Sequence, residues 1–389
     1  MLKNKKILLG VTGGIAAYKA VELASQLTQK EAIVKTVMTA HAVELVSPLT
    51  FKSITHQKVA TELFAPEADI EHISLADWAD LVLIAPATAN LIGKVAGGIA
   101  DDLLSTTIMA TTAPVCFVPA MNVHMYANPL LQENINKLKK YGYFFMEPEC
   151  GKLACGYEGK GRFPRVEEII YFAQTHLNYK NDLAGKTILI TAGANREDID
   201  PMRFITNHSS GKMGLALARA AYFRGAEVTL ISAAMTEAIP PYLKNIRAVS
   251  AAEMYEAVMQ EFPKNEIIFK TAAVADFTPV SPQTEKIKKK EGLQLALKRT
   301  KDILAELGEQ KKASQILVGF AAESEQIAEN ARKKLIAKKL DFIAANDLKT
   351  AGEDTTSLLV ISSENEIKLE GSKFEVAHRL LDLVQEKIR

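Results

Sequence analysis

Short apolar runs alternate with longer stretches of helical periodicity along this chain. The run Lys5–Gly10 (KKILLG) predicts a buried strand, and apolar residues three and four apart over Ile15–Gln29 predict an amphipathic helix after it. Ala32–Met38, Leu81–Pro86 and Val115–Ala120 predict further strands, with helices between them. These runs are continuously apolar rather than alternating. Strands of that kind are covered on both faces, and strands separated by helices build a parallel sheet.

Around Tyr179–Gly185 (YKNDLAG) the pattern lapses into polar, aperiodic sequence, which predicts a linker. The alternation then restarts. Lys186–Gly193, Ala226–Ala233, Glu266–Asp276, Gln315–Glu323 and Asp341–Asp347 predict strands, with a helix over Lys212–Arg224. Ser357–Gly371 predicts an antiparallel hairpin, and Phe374–Lys387 a closing helix. Two doubly wound, Rossmann-like α/β domains in tandem, residues 1–179 and 186–389 joined by 180–185, account for this order. Ligands of such sheets sit beyond the carboxyl ends of the strands.

At 389 residues the chain can build two or three cores, given about 100–200 residues per domain. Its 47 basic and 46 acidic residues leave a formal charge of +1, which argues against a chain-wide nucleic-acid surface. Three cysteines, Cys116, Cys150 and Cys155, with no C-x-x-C pair, make neither a disulfide framework nor a zinc ribbon. The basic start is followed only by the apolar Ile7–Leu9 and a glycine turn, so a strand is expected there rather than a signal peptide. No uninterrupted apolar run approaches the roughly 18 residues that span a bilayer. A cytoplasmic protein without nucleic-acid or membrane partners is expected.

In the first half, Gly10–Lys19 (GVTGGIAAYK) joins the first strand to the first helix, where glycines and free N–H groups favour a phosphate. Thr12 stands where the second glycine of the dinucleotide fingerprint belongs, so a mononucleotide fits better. Ala85–Thr106, beginning APATAN, places small and hydroxylated residues at a strand end, suited to a planar ring. In Pro119–Pro129 (PAMNVHMYANP), Asn122 offers a donor and acceptors, and Asn128-Pro129 marks a helix start. Pro148–Pro164 (PECGKLACGYEGKGRFP) carries Gly151, Gly156, Gly159 and Gly161 around Cys155, which predicts a mobile flap. His72 opens an apolar-periodic stretch and, taken alone, reads as a capping or core histidine.

Together, in this order, these motifs with Met38–Val46 (MTAHAVELV) and Glu71–Asp80 (EHISLADWAD) resemble the flavin-dependent cysteine decarboxylases, specifically phosphopantothenoylcysteine decarboxylase, over Lys5–Arg165. The resemblance implies a flavodoxin-like flavoprotein domain with FMN held by Gly13, Thr39, Ala87, Thr88 and Asn90. It also implies His72 as catalytic base, Asn122 as the ligand of the substrate carboxylate and Cys155 as proton donor. Tyr126 departs from an expected tryptophan. The residue types suit the chemistry. Losing CO₂ from a cysteinyl group leaves a carbanion with no electron sink. Oxidation of the carbon–sulfur bond creates one, and a flavin is a suitable hydride acceptor.

In the second half, Thr191–Gly214 (TAGANREDIDPMRFITNHSSGKMG) combines a strand-end turn, Arg203, Asn207 and a Ser-Ser-Gly-Lys helix start. Thr206 stands where a Walker A motif needs its first glycine, so this is not a P-loop. Thr284–Gly292 (TEKIKKKEG) places Lys286, Lys288, Lys289 and Lys290 in a polar loop, either a solvated face or a triphosphate clamp. Lys334 and Lys338 share a helix face, and Asp276 lies just past a strand.

These motifs resemble phosphopantothenate–cysteine ligase over Lys186–Arg389, and a decarboxylase fused to such a ligase is a familiar bacterial arrangement. The resemblance implies CTP and Mg²⁺, with the substrates 4′-phosphopantothenate and cysteine joined through an acyl-cytidylate. The nucleotide would be bound by Lys270, Thr271, Ala272, Asp276, Lys286, Lys301, Asp302, Ile303, Leu304, Phe320, Lys334 and Lys338. Asn207 would hold the acyl-cytidylate, with Arg203 in the same substrate site and Lys286 catalytic. It further implies a homo-oligomer, flavoprotein trimers assembled with ligase dimers. Three departures stand out: Ala194-Asn195 in the turn, Thr300-Lys301 where Asn-Pro is usual, and Ser324 for threonine. Two other readings compete. A non-catalytic FMN-binding regulatory protein would not need His72, Asn122 and Cys155 together. A nicotinamide oxidoreductase would need the dinucleotide fingerprint, which both halves lack.

Overall fold

The first apolar run forms β1 (Lys6–Val11), and α1 (Ala17–Gln29) buries Ala17, Ala20, Leu23, Ala24 and Leu27 along one face, the spacing of an amphipathic helix. The computed structural model describes residues 1–64, 71–154, 156–288, 293–323, 326–347 and 353–388, with backbone alone at 322, 323, 347 and 388. The chain divides into two units, Met1–Lys180 and Asn181–Arg389. Both are α/β, with a mostly parallel sheet in the first and a mixed sheet in the second, the class expected from the alternation.

The first unit continues through β2 (Ile33–Met38), α2 (Ala40–Val43), α3 (Pro48–Thr55), β3 (Val59–Ala60), α4 (Glu71–Trp78), β4 (Leu81–Ala87) and α5 (Ala89–Ala96). After these come α6 (Leu103–Ala110), β5 (Val115–Pro119), α7 (Val123–Ala127), α8 (Pro129–Lys140) and β6 (Phe144–Phe145). The hairpin β7 (Glu149–Lys152) and β8 (Glu158–Arg162) and the helix α9 (Val166–His176) close it. Its sheet runs β3-β2-β1-β4-β5-β6 and all of its pairings are parallel. Every residue of β4 is buried, as its unbroken apolar run requires. Asn128 caps α8 by accepting from Leu130 N at 2.9 Å, and Pro129 fills the first helical position.

The glycines of 148–164 serve close approach within a paired hairpin. Gly151, Gly159 and Gly161 have φ of 153°, 151° and 154°, which side chains rarely adopt. A Cβ on Gly161 would lie 2.2 Å from the Met121 carbonyl oxygen. That closeness lets Met121 N donate to Gly161 O at 3.0 Å.

The second unit begins with β9 (Thr187–Ala192), the hairpin β10 (Arg196–Asp200) and β11 (Arg203–Thr206), then α10 (Lys212–Phe223), β12 (Glu227–Ser232), β13 (Lys244–Arg247) and α11 (Ala251–Glu261). It continues with β14 (Ile267–Lys270), the small pair β15 (Phe277–Pro279) and β16 (Leu297–Arg299), α12 (Ile303–Gln310), β17 (Ile316–Glu323) and α13 (Ile327–Ala337). The last elements are β18 (Phe342–Asp347), β19 (Thr355–Ile361), β20 (Glu366–Ser372) and α14 (Lys373–Ile388). Its main sheet runs β13-β12-β9-β14-β17-β18-β19-β20, with the expected antiparallel hairpin β19–β20 at one edge. No helix among the described residues is long and apolar enough to cross a membrane.

The segment expected to be a linker is tied to the second unit. Leu183 is buried, and its N–H donates to Arg224 O at 3.0 Å. The Arg224 side chain is fully buried, pairs with Asp182 at 2.6 Å and with Asp382 at 2.8 Å, and donates to His378 O at 3.2 Å. Removing one partner of a buried pair leaves charge uncompensated, at a cost of about 3–5 kcal/mol. Here the carboxylates left behind are 28% and 37% exposed, so Arg224→Met is expected to destabilise the second unit by a smaller amount, about 1–3 kcal/mol, read as a lower denaturant midpoint in far-UV circular dichroism.

Candidate active sites

In the first unit, loops converge where the strand order reverses, between β1 and β4. Thr12 ties two of them, donating its hydroxyl to Pro86 O at 2.7 Å and accepting from Thr88 N at 3.0 Å. Thr39 N donates to Val11 O at 3.1 Å, which brings in the loop after β2. A Cβ on Gly13 would lie 2.3 Å from His41 Cβ, so the close approach depends on glycine. Gly13, Thr39, Ala87 and Thr88 thus gather at one crevice, with Asn90 exposed in the first turn of α5. Ala16, at the start of α1, caps that helix with no side chain. The backbone and hydroxyl groups that these loops bring together fit the phosphate and ring edge of FMN.

Asn122 caps α7, its Oδ1 accepting from His124 N at 2.8 Å. The β7–β8 hairpin leans on this loop, with the Tyr157 ring 5.2 Å from His124 and nearly perpendicular to it. Cys155, which falls between β7 and β8 in sequence, lies outside the described residues. His72 is half-buried in the first turn of α4. Tyr126 stands where tryptophan was expected. Burial, then the charge of Glu147, pushes its hydroxyl up to about 12, and Lys160 of the hairpin sits 5.8 Å over its ring. The substitution keeps an aromatic surface for the hairpin to rest on.

In the second unit the order reverses between β9 and β14. Beside that point lies a cavity of about 460 Å³ whose walls include Lys270, Ala272, Asp276, Phe320 and Lys338, together with Lys301–Leu304. Most of the residues expected to meet a nucleotide therefore share one cavity. Thr300, one of the departures, also lines it, as do Val274, Phe277 and Arg299, which were not anticipated because nothing in their spacing sets them apart. Thr300 donates its hydroxyl to Ala275 O at 2.7 Å, and Lys301 sits 3.9 Å over the Tyr255 ring. The departure from Asn-Pro thus leaves the loop anchored. Asp302 caps α12 and pairs with Lys338 at 2.9 Å; burial opposes its charge, but these bonds hold the carboxyl below its ordinary range.

The other expected residues lie outside that cavity. Thr271 donates to Thr191 O and lines a second cleft, of about 200 Å³, at the start of α10. The two spaces share Ala272 and Phe320. Asn207 donates its Nδ2 to Val274 O at 3.1 Å, on the cavity wall. Lys286 and Lys334 are exposed, and neither lines the cavity. Lys289, Lys290 and Ser324 lie outside the described residues. In the altered turn, Ala194 bridges Ala234 and Ala273, and buried Asn195 donates to Val249 O at 3.0 Å.

Asp200 organises the basic loop, a role the sequence reading missed. Its buried carboxylate accepts from Met202 N at 2.8 Å, Ile287 N at 3.1 Å and the Arg203 guanidinium at 3.1 Å. Burial works against its charge, and these donors outweigh it and lower its pKa. Arg203 also reaches Ile287 O at 3.4 Å, so the β10–β11 hairpin fixes the backbone next to Lys286.

Two families cover the chain: that described as Flavoprotein matches residues 1–178, and the DNA/pantothenate metabolism flavoprotein C-terminal domain matches residues 183–388. The coenzyme A biosynthesis bifunctional protein CoaBC of Bacillus subtilis (strain 168) is 53% identical over 358 residues, covering 90% of this chain and 88% of its own. Its namesake in Borreliella burgdorferi is 43% identical over 389 residues, covering 99% of this chain and 100% of its own. A solved C-terminal domain of a CoaBC protein is 39% identical, with a TM-score of 0.47, over 54% of this chain and 98% of that one. By both halves and along nearly its whole length, the chain belongs to the family of coenzyme A biosynthesis bifunctional proteins.

Proposed function

We propose that the two units of this coenzyme A biosynthesis enzyme divide its activities, with the decarboxylase in the first and, in the second, the ligase that makes its substrate. The observation that carries this reading is the cavity that draws Lys270, Asp276, Asp302, Phe320 and Lys338 together beside the reversal of the second sheet.

In the ligase, CTP occupies that cavity with its phosphates toward the lysines. Mg²⁺ enters with the nucleotide, whose phosphate oxygens are the hard donors it prefers. The adjoining cleft takes the phosphate of 4′-phosphopantothenate. The acid's carboxylate attacks the α-phosphorus, forming a carbon-bound O–P bond as the bond to pyrophosphate breaks. The cysteine amine then attacks the acyl carbon, CMP leaves, and a proton is lost from nitrogen. Asn207, held on the cavity wall through Val274, orients the acyl-cytidylate between these steps.

In the decarboxylase, Gly13, Thr39, Ala87, Thr88 and Asn90 hold FMN. Its contribution when bound is a two-electron acceptor for the carbon–sulfur oxidation. Asn122 holds the substrate carboxylate, His72 takes the proton released early, and Cys155 returns one at the end. The active form is a cytoplasmic homo-oligomer acting on small molecules. The test is to incubate the whole chain with 4′-phosphopantothenate, cysteine, CTP and Mg²⁺. Flavin absorption and 4′-phosphopantetheine are expected, and a protein that binds FMN but makes neither the thioester-free amide nor its decarboxylated product would overturn the reading.

Lys270 allows a test without turnover. It is 7% exposed, and burial, then Lys338, lowers its pKa to about 7, with Asp302 pulling the other way. A triphosphate favours the charged form. Nucleotide binding near pH 8 should therefore take up close to one proton, and affinity should fall up to about tenfold per pH unit above 7. Calorimetry in buffers of different ionisation enthalpy measures the uptake, which Lys270→Met should remove. Without nucleotide the sign reverses. The unfolded lysine binds its proton below 10.5 and the buried one only below about 7, so burial costs stability across that window and fully below it. Lys270→Met should therefore raise the melting temperature of the free protein at neutral pH.

A further inference from the structure

The wall of the 460 Å³ cavity that runs from Thr300 to Leu304 is moored at three successive residues, each to a different part of the fold. Thr300 donates its N–H to Asp276 O at 3.0 Å and its hydroxyl to Ala275 O at 2.7 Å, which ties it to the segment after β14. Asp302 pairs at 2.9 Å with Lys338, the residue that ends α13. Between them, the Lys301 ammonium lies 3.9 Å over the ring of Tyr255, on α11. Tyr255 is half-buried against the core of the second unit, and its hydroxyl donates to the Glu306 carboxylate of α12 at 2.9 Å. Glu306 in turn accepts from Gln310 at 3.1 Å.

That chain of contacts decides what Lys301 can do. The face of an aromatic ring attracts a cation, and a hydrogen bond from the phenol to a carboxylate makes the ring richer in electrons. The same bond fixes the ring, since α11 and α12 hold its two ends. Both charges of the loop, Lys301 and Asp302, are therefore engaged by neighbours. What the loop adds to the cavity without such a partner is Ile303 and Leu304, which line it together with Val274 and Phe320. An apolar lining of this kind suits the base of a nucleotide, whose phosphates belong with Lys270.

We propose that Lys301 is a positioning residue of the ligase: it lodges its charge on Tyr255, holds the cavity wall in place before the nucleotide arrives, and so sets the affinity for the nucleoside end rather than for the triphosphate. The proposal rests on reading this cavity as the nucleotide site. The experiment uses the whole chain and measures the Kd of CTP and of CMP by calorimetry, alongside the kinetics of pyrophosphate release. Lys301→Met and Tyr255→Leu should each weaken CTP and CMP alike, by about 3–10-fold, and the double variant should be no worse than the poorer single one. Lys301→Arg, whose guanidinium also seats on a ring, should keep most of the affinity. The kcat and the KM for 4′-phosphopantothenate should not move. A loss in Lys301→Met that is confined to CTP would assign the ammonium to the phosphates and overturn the proposal. Losses that simply add in the double variant, or unchanged Kd values in both single variants, would overturn it too. If the wild type binds neither nucleotide, the reading of the cavity fails, and the proposal with it. Should Tyr255→Leu not fold, Tyr255→Phe, which keeps the packing but releases the ring from Glu306, must weaken CTP and CMP by one common factor for the proposal to stand.

Discussion

Lys286→Gln is expected to slow pyrophosphate release by a hundredfold or more while leaving the fold intact. Lys286 is exposed, so its own burial contributes nothing to stability. Its backbone is not loose. Ile287, its neighbour, is clamped by Asp200 and Arg203, so an uncovered ammonium is carried on an anchored stem. In the proposed ligase reaction its role would be to offset the negative charge that grows as pyrophosphate departs. Removing one such electrostatic group typically costs about 3–4 kcal/mol of transition-state stabilisation. Asn207 is uncharged and cannot serve there. Asn207→Asp should still consume CTP but release the acyl-cytidylate before cysteine arrives. The measurement is pyrophosphate release without cysteine, with mass spectrometry for the intermediate. If both variants stop at the same step, with no acyl-cytidylate from either, the division of labour between them is wrong.

His72→Ala should abolish CO₂ release from the first unit, a loss of about 10²–10⁴-fold for a missing general base. His72 sits in the first turn of α4, half-buried, and the substitution removes a ring without breaking the helix, since alanine favours it. Cys155→Ser should fail later. Oxidation and CO₂ loss should proceed once per bound flavin, which should then stay reduced, so that the enethiol is held and 4′-phosphopantetheine does not form. The two variants therefore separate by whether labelled CO₂ appears. Normal turnover by Cys155→Ser would remove the cysteine from the mechanism, and normal CO₂ release by His72→Ala would remove the histidine.

The strands and long helices were legible from the chain because burial acts on each locally. β4 is buried at every residue, so every residue is apolar or small, and α1 buries one face, so its apolar residues recur at helical spacing. The order of motifs was legible too, and with it the family. Elements stabilised by backbone pairing or by charge left no such trace. The strand β10 (REDID) reads as a polar loop, yet it pairs with β11 and carries Asp200, which holds the loop of Lys286 from a distance of 87 residues in sequence. The glycine count of the flap said nothing of close packing, yet a Cβ on Gly161 would strike the Met121 carbonyl. The linker looked solvated because its anchor, Arg224, lies on another element. Lys301 is one lysine among many until α11 sets the Tyr255 ring under its ammonium. Hydrophobic periodicity is a property of neighbours along the chain. A buried charge is settled by its partners, and only the tertiary structure decides who those partners are.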